Sequence, residues 1–144
     1  MRALLDVNVL IALFDQSHVF NDRAHTWLEA NLTHGIATCP ITENGLIRIL
    51  SHPKYSQQLR LTPTEVIRRL KNFTSHNNHQ FWPDTLSLCD RSVFNTDHIL
   101  GSKQLTDLYL LALAAEHQGR LVTFDERIPQ NCVVKAKSQH LEVA

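Results

Sequence analysis

The stretch Ala3-Leu4-Leu5-Asp6-Val7-Asn8-Val9-Leu10-Ile11-Ala12-Leu13 decides the fold class. Its apolar residues run without polar alternation, pause at Asp6 and Asn8, and resume. A short, continuous apolar run is a strand buried on both faces, and the longer run after it reads as a helix that follows directly. Asp6 therefore falls at the carboxyl end of a first strand.

The same pattern recurs downstream. Asn21 stands where a helix cap is wanted, Ala24, Trp27, Leu28 and Leu32 share one face after it, and Gly35 stops the helix. Ile36-Ala37-Thr38-Cys39 reads as a second strand closed by Pro40. Thr42 is then placed to cap a helix carrying Leu46, Ile47, Ile49 and Leu50, which puts Glu43 in its first turn. Thr62-Pro63-Thr64-Glu65 is a capping box with proline at the first helical position, followed by Val66, Ile67, Leu70 and Phe73 at helical spacing. Residues 75–80 read as a polar loop. Phe81-Trp82 and Leu86-Ser87-Leu88 are the candidates for a third strand, edged by Pro83.

Further on, Thr106 is placed to cap a helix with Leu108, Leu111, Ala112 and Ala115 on one face and Gly119 beyond its end, so Asp107 opens it. Leu121-Val122-Thr123-Phe124 reads as another buried strand ending at Asp125, and Leu141 and Val143 mark a last short one. Strands alternating with amphipathic helices predict an α/β fold with a parallel sheet covered on both faces and built from right-handed crossovers.

Composition sets the bounds. A chain of 144 residues, 43% hydrophobic and 19% charged, is expected to form a single domain over residues 1–144 with one sizeable core. Fourteen Lys and Arg balance fourteen Asp and Glu, so no global positive field draws in nucleic acid, and any nucleic acid must be gripped locally. Cys39, Cys89 and Cys132 are odd in number and form no CxxC pair, which predicts neither a disulfide framework nor a zinc knuckle. The opening residues enter the first strand at once, and the longest apolar run, residues 108–115, is too short to span a bilayer. A soluble cytoplasmic protein, without membrane contact, is expected.

Ligands of open α/β sheets bind beyond the carboxyl ends of the strands. Asp6, Glu43 and Asp125 fall there, and Asp107 opens a helix packed alongside. Converging carboxylates repel one another and need a counter-charge, yet only Arg127 lies beside any of the four in sequence. Mg²⁺ or Mn²⁺ is the natural one, since these ions take hard oxygen ligands, keep several waters, and are held by one or two carboxylates plus substrate phosphate. Such a site hydrolyses phosphodiesters with a water that the cation orients and acidifies, without a covalent intermediate on the protein. Glu43 would bind either a second cation or the attacking water.

The segments LLDVNVLIAL with Asp6 and Asn8, PITENGLIRIL with Glu43, QLTDLYLLALA with Asp107, and LVTFDERI with Asp125 resemble, in order and spacing, the four acidic motifs of the PIN domain. The resemblance is closest to VapC-type ribonuclease toxins of prokaryotic toxin–antitoxin modules. It implies a PIN-like three-layer α/β/α sandwich with a central, mostly parallel twisted sheet. It also implies a Mg²⁺- or Mn²⁺-dependent endoribonuclease acting on structured RNA such as transfer or ribosomal RNA. The implied partners are a second copy in a homodimer and a VapB-like antitoxin in a hetero-oligomer. Carried over by motif, Asp6, Glu43, Asp107 and Asp125 are the catalytic acids, with Asp6, Asp107 and Asp125 as metal ligands and Asn8 and Thr123 as hydrogen-bonding support.

Plainer readings stand beside these. A single aspartate at a strand end or helix start is usually a cap; four in order at element boundaries are harder to explain that way. Asp84, Asp90 and Asp97 read as solvated loop residues and are set aside. His76 and His79 have a ligand-like gap but no accompanying ligand pair, so they read as solvated loop histidines. Arg48, Arg91, Lys103 and Arg127 are candidates for phosphate contacts or ordinary surface charge. Trp27, Phe81 and Trp82 read as core or interface before base-stacking residues. Two rival functions share the fold class. One is a phosphatase-like phosphohydrolase, against whose haloacid-dehalogenase form Asn8 argues, because that form needs a second Asp there. The other is a non-catalytic RNA- or protein-binding module.

Overall fold

In the computed structural model, which describes residues 1–144, the chain runs β1 (Ala3–Leu5), α1 (Val7–Phe14), α2 (Asn21–Asn31), β2 (Ile36–Thr38), α3 (Pro40–Leu50), α4 (Pro63–His76), β3 (His79–Phe81), α5 (Leu105–Glu116), β4 (Arg120–Thr123) and β5 (Leu141–Val143), with short 3₁₀ turns between. The strands form one sheet in the order β3-β2-β1-β4-β5, and every pairing is parallel. Ala3 stands opposite Ile36 on one side and Arg120 on the other. The expected α/β class, parallel sheet and PIN-like architecture are what the chain adopts.

Side-chain alternation divides the core in two. Leu4, Ala37 and Leu121 point to the face covered by α5, while Ala3, Leu5, Ile36 and Val122 point to the face covered by α1 to α4. The continuous apolar strands in the sequence are the direct consequence of a sheet buried on both faces. In α5 every residue from Leu108 to Ala115 is buried, so this helix is covered all round. Its outer side is sealed by Phe94, Cys132 and Val133, with Leu86 and Leu88 packed against them. Those two leucines therefore lie in a covering loop, and β3 forms from the polar stretch His79-Gln80-Phe81 instead. Pairing with β2 overrides the weak local pattern there.

Helix ends also differ from expectation. α2 begins at Asn21 itself, behind Phe20 at the capping position, and the Asn21 Nδ2 instead donates to the Ala12 carbonyl at 2.7 Å. Thr42 sits in the third position of α3, where its hydroxyl accepts the Cys39 amide at 3.0 Å. α5 opens at Leu105, one residue before Thr106. Beyond α5 the left-handed residue is Gln118, at φ 54°. Gly119 serves close approach: a Cβ there would lie 2.7 Å from the Arg2 carbonyl oxygen and 2.8 Å from the Trp82 ring. No helix is long and apolar enough to cross a membrane, and the three cysteines are free thiols.

Candidate active site

Because all strands run the same way, β1, β2 and β4 deliver their carboxyl ends to one edge of the sheet. Asp6 follows β1 directly. Its amide donates to the Val122 carbonyl at 2.9 Å, and its own carbonyl accepts the amides of Val9 and Leu10, which starts α1. Its carboxylate is buried and held at both oxygens: Oδ1 accepts the Val7 amide at 2.7 Å and Oδ2 accepts the Thr123 hydroxyl at 2.7 Å, each keeping a further lone pair. Thr123 ends β4, and its Oγ1 also accepts the Asn8 side-chain amide at 3.3 Å and the Asp125 amide at 3.1 Å. One hydroxyl thus joins the first and last motifs.

Asp107 comes from the first turn of α5, on the opposite layer from α1. Burial raises its pKa to about 6, reinforced by the negative charges of Asp6 and then Asp125, with no hydrogen bond opposing. The Asp6 pKa is raised as well, chiefly by burial and last by Asp125, against the lowering effect of the Thr123 and Val7 bonds. The structure therefore brings Asp6, Asp107 and Asp125 within reach of one another's charge. Asp125 is steadied by the Arg127 amide on Oδ1 at 2.8 Å, and the Arg127 guanidinium lies 3.6 Å away with 91% of that side chain exposed. So exposed a cation neutralises little.

Glu43 stands in the first turn of α3 and is tied back to the end of β2. Its Oε2 accepts the Thr38 hydroxyl at 2.6 Å, and His79 Nε2 lies 2.7 Å from the same hydroxyl. The Thr38 proton goes to the carboxylate, so His79 donates through Nε2 and the chain of bonds runs His79 to Thr38 to Glu43. Burial lowers the His79 pKa, Glu43 pulls it back up, and Arg2 lowers it again. His79 is therefore no free loop residue; β3 pairing holds it beside β2. A cue existed in its position two residues before the Phe81-Trp82 apolar pair, but not its partner. His76 bonds only within α4, to the Asn72 carbonyl at 2.8 Å.

Of the other residues singled out in the sequence, Trp27 and Trp82 are buried in the two core halves, and Phe81 is half-exposed on β3. Arg48, Arg91, Lys103 and Arg127 are all exposed. Asp90 accepts the amide and hydroxyl of Ser92, a turn contact. Beside Asn8 and Asp125 opens a cavity of about 490 Å³ whose apolar wall is Phe20 and Phe124. Phe124, read in the sequence as the end of a buried strand, lies one residue beyond β4 and is only partly buried, and no periodicity singled out Phe20.

No three His, Cys, Asp or Glu side chains stand close enough to hold an ion as a ready-made cage. The donor set nevertheless suits a hard divalent cation, which needs only one or two carboxylates and completes its shell with water and phosphate. Two features favour such an ion. The negative charges of Asp6 and Asp125 both act on Asp107 with little local positive charge to offset them, and Asn8 Oδ1 is buried with no hydrogen-bond partner.

The model of the PIN domain family matches residues 3–133. The chain belongs to the PIN domain family. Among its relatives, Ribonuclease VapC44 of Mycobacterium tuberculosis is 44% identical over 141 residues, covering 98% of each chain. Ribonuclease VapC39 of the same organism is 45% identical over 125 residues, covering 87% of this chain and 89% of that one. A chain in the crystal structure of VapBC2 from Rickettsia felis bound to a DNA fragment from their promoter superposes with a TM-score of 0.61. It covers 99% of this chain and 98% of that one at 19% identity, a likeness of fold. The resemblance read from the four acidic segments is thus borne out, and within the PIN domain the relatives are VapC proteins.

Proposed function

We propose that the chain is one PIN-like nuclease domain over residues 1–144, the endoribonuclease toxin of a VapBC-type toxin–antitoxin module. It hydrolyses RNA phosphodiester bonds with the help of Mg²⁺ or Mn²⁺. The observation that carries this reading is the placement of Asp6 and Asp125 beyond the carboxyl ends of neighbouring parallel strands, joined at the Thr123 hydroxyl, with Asp107 opening α5. Full-length identity of 44% to a protein named Ribonuclease VapC44 supports it.

In this reading Asp6 and Asp107 hold the cation, with Asp125 beside them. When bound, the cation orients and acidifies a water and offsets charge on the phosphate oxygens. The chain's own residues do the rest. Thr123 and the Val7 amide fix the Asp6 carboxylate, so its orientation need not be established when substrate binds. Asn8, held at Thr123, leaves its buried Oδ1 without a protein donor. Glu43 is anchored through Oε2 by Thr38, and its Oε1 is the oxygen available to accept a proton from the attacking water. The partners are an RNA of the transfer or ribosomal class, a second copy of the chain, and a VapB-like antitoxin; the setting is the cytoplasm.

The test is cleavage of end-labelled transfer and ribosomal RNA by the purified chain, with Mg²⁺ or Mn²⁺ and then with EDTA. Cleavage that stops with EDTA and in Asp6→Asn and Asp107→Asn is the expected result. RNA binding without cleavage, indifferent to the metal, would replace the nuclease with a binding module.

A further inference from the structure

The loop between α1 and α2 builds an aromatic wall next to the acidic site. The rings of Phe20 and Phe124 meet with centroids 4.9 Å apart at 45°. His18 lies 5.9 Å from Phe20, and the Arg23 guanidinium sits 5.2 Å and 5.1 Å from the two ring centroids. Both rings line the cavity that Asn8 and Asp125 also line. Phe20 is 36% exposed and packs in neither half of the core. It also occupies the capping position of α2 without any side-chain capping bond, where Ser, Thr, Asp or Asn would supply one. The ring serves neither the interior nor the helix end.

We propose that this cavity is a subsite for a nucleobase of single-stranded RNA, stacked on Phe20 and Phe124, from a nucleotide adjoining the phosphate held at the carboxylates. The proposal deepens the nuclease reading and rests on it. Aromatic rings bind bases of any sequence because every base has a π-face, and such stacking is how proteins hold unpaired RNA. Charge argues for the base over the phosphate: on the cavity wall the carboxylates of Asp125 and Glu126 outnumber the single fixed cation, Arg127, with His18 beside them, so an anion is disfavoured. Arg127 on the cavity wall and Arg23 over the two rings are the cations available to the flanking backbone.

The subsite is built in advance. Asp15 accepts the Ser17 amide at 3.0 Å and the Tyr55 hydroxyl at 2.7 Å, His18 Nδ1 accepts the Phe20 amide at 3.0 Å, and Asn21 ties the loop to Ala12. Little ordering is left to be done when a base enters.

The experiment measures binding, not cleavage. A short single-stranded oligoribonucleotide carrying 2-aminopurine is titrated into the Asp6→Asn protein, and its fluorescence quenching is followed. Adding Phe20→Ala is expected to weaken binding about ten-fold, as loss of one stacked base does. Phe20→Trp should retain it, with the introduced indole quenched by RNA. Leu32→Ala, an exposed apolar residue ahead of β2 at the opposite edge of the sheet, should leave it unchanged. Equal binding by Phe20→Ala and Leu32→Ala overturns the subsite. So does an introduced indole that RNA leaves unquenched, or a Phe20→Ala change that weakens only the complex with an antitoxin peptide. A chain that fails to cleave RNA but loses binding on Phe20→Ala defeats the nuclease reading and leaves the subsite standing.

Discussion

The Thr123 hydroxyl donates a 2.7 Å hydrogen bond to Asp6 Oδ2, joining the end of β4 to the end of β1 across 117 residues of sequence. The same oxygen accepts the Asn8 side-chain amide and the Asp125 amide, so the first and last of the four motifs, which supply Asp6 with Asn8 and Asp125, meet at one hydroxyl.

Thr123→Val keeps the shape of the side chain and removes that hydroxyl. RNA cleavage should fall about 10- to 100-fold, the usual cost of losing a group that orients a metal-binding carboxylate. Thr123→Ser should restore most of it. Steady-state cleavage rates for the two variants, alongside thermal melts, check this; equal loss in both would point to packing instead.

The raised pKa of Asp107 makes metal-free stability depend on pH. Its folded value of about 6 exceeds its ordinary 3.8, so the folded chain binds the proton more tightly than the unfolded one. The stabilisation is fully present below about pH 4 and is lost as pH rises through about 6. Asp107→Asn removes this dependence and should stabilise the metal-free protein at pH 7.5 by about 1 kcal/mol, a figure discounted for solvent access. Urea unfolding in EDTA at pH 5 and pH 7.5 reads the difference; an unchanged pH slope in the variant would refute it.

Tyr55 anchors the aromatic loop from a distance. Its hydroxyl donates to the buried Asp15 carboxylate at 2.7 Å, and burial followed by the Asp15 bond and charge raises the Tyr55 pKa. Tyr55→Phe leaves Asp15 short of a donor, which should cost about 1–3 kcal/mol. Thermal unfolding measures the loss, and amide hydrogen exchange should quicken at residues 15–20.

Gln118 occupies the left-handed region at φ 54°, where a side chain is strained. Gln118→Gly should raise stability by up to about 1 kcal/mol, read by chemical denaturation. The same exchange logic fails one residue on: Gly119→Ala would press a methyl onto the Arg2 carbonyl and the Trp82 ring, and should destabilise by about 1–3 kcal/mol.

Asp6 was legible because a doubly buried strand is an unbroken apolar run, and the first polar residue after it marks the strand's end. Asp125 was legible for the same reason after the run 121–124, and Asp107 for a different one, as the acid in the first turn of the apolar helix 108–115. Pattern misled where tertiary pairing outweighed it. Leu86 and Leu88 looked like a strand and instead cover α5, while polar His79 and Gln80 form β3 because β2 offers them an edge.

Linear order, through local periodicity and the chemistry of caps, specified a parallel α/β sheet and put acids at its carboxyl edge. Both signals act within a few residues, which is why they could be read along the chain. The Thr123 bond to Asp6, the His79–Thr38–Glu43 chain, and the pairing of Phe20 with Phe124 arise from strand register and layer packing. These join residues far apart in sequence, and only the folded chain decides which of them touch.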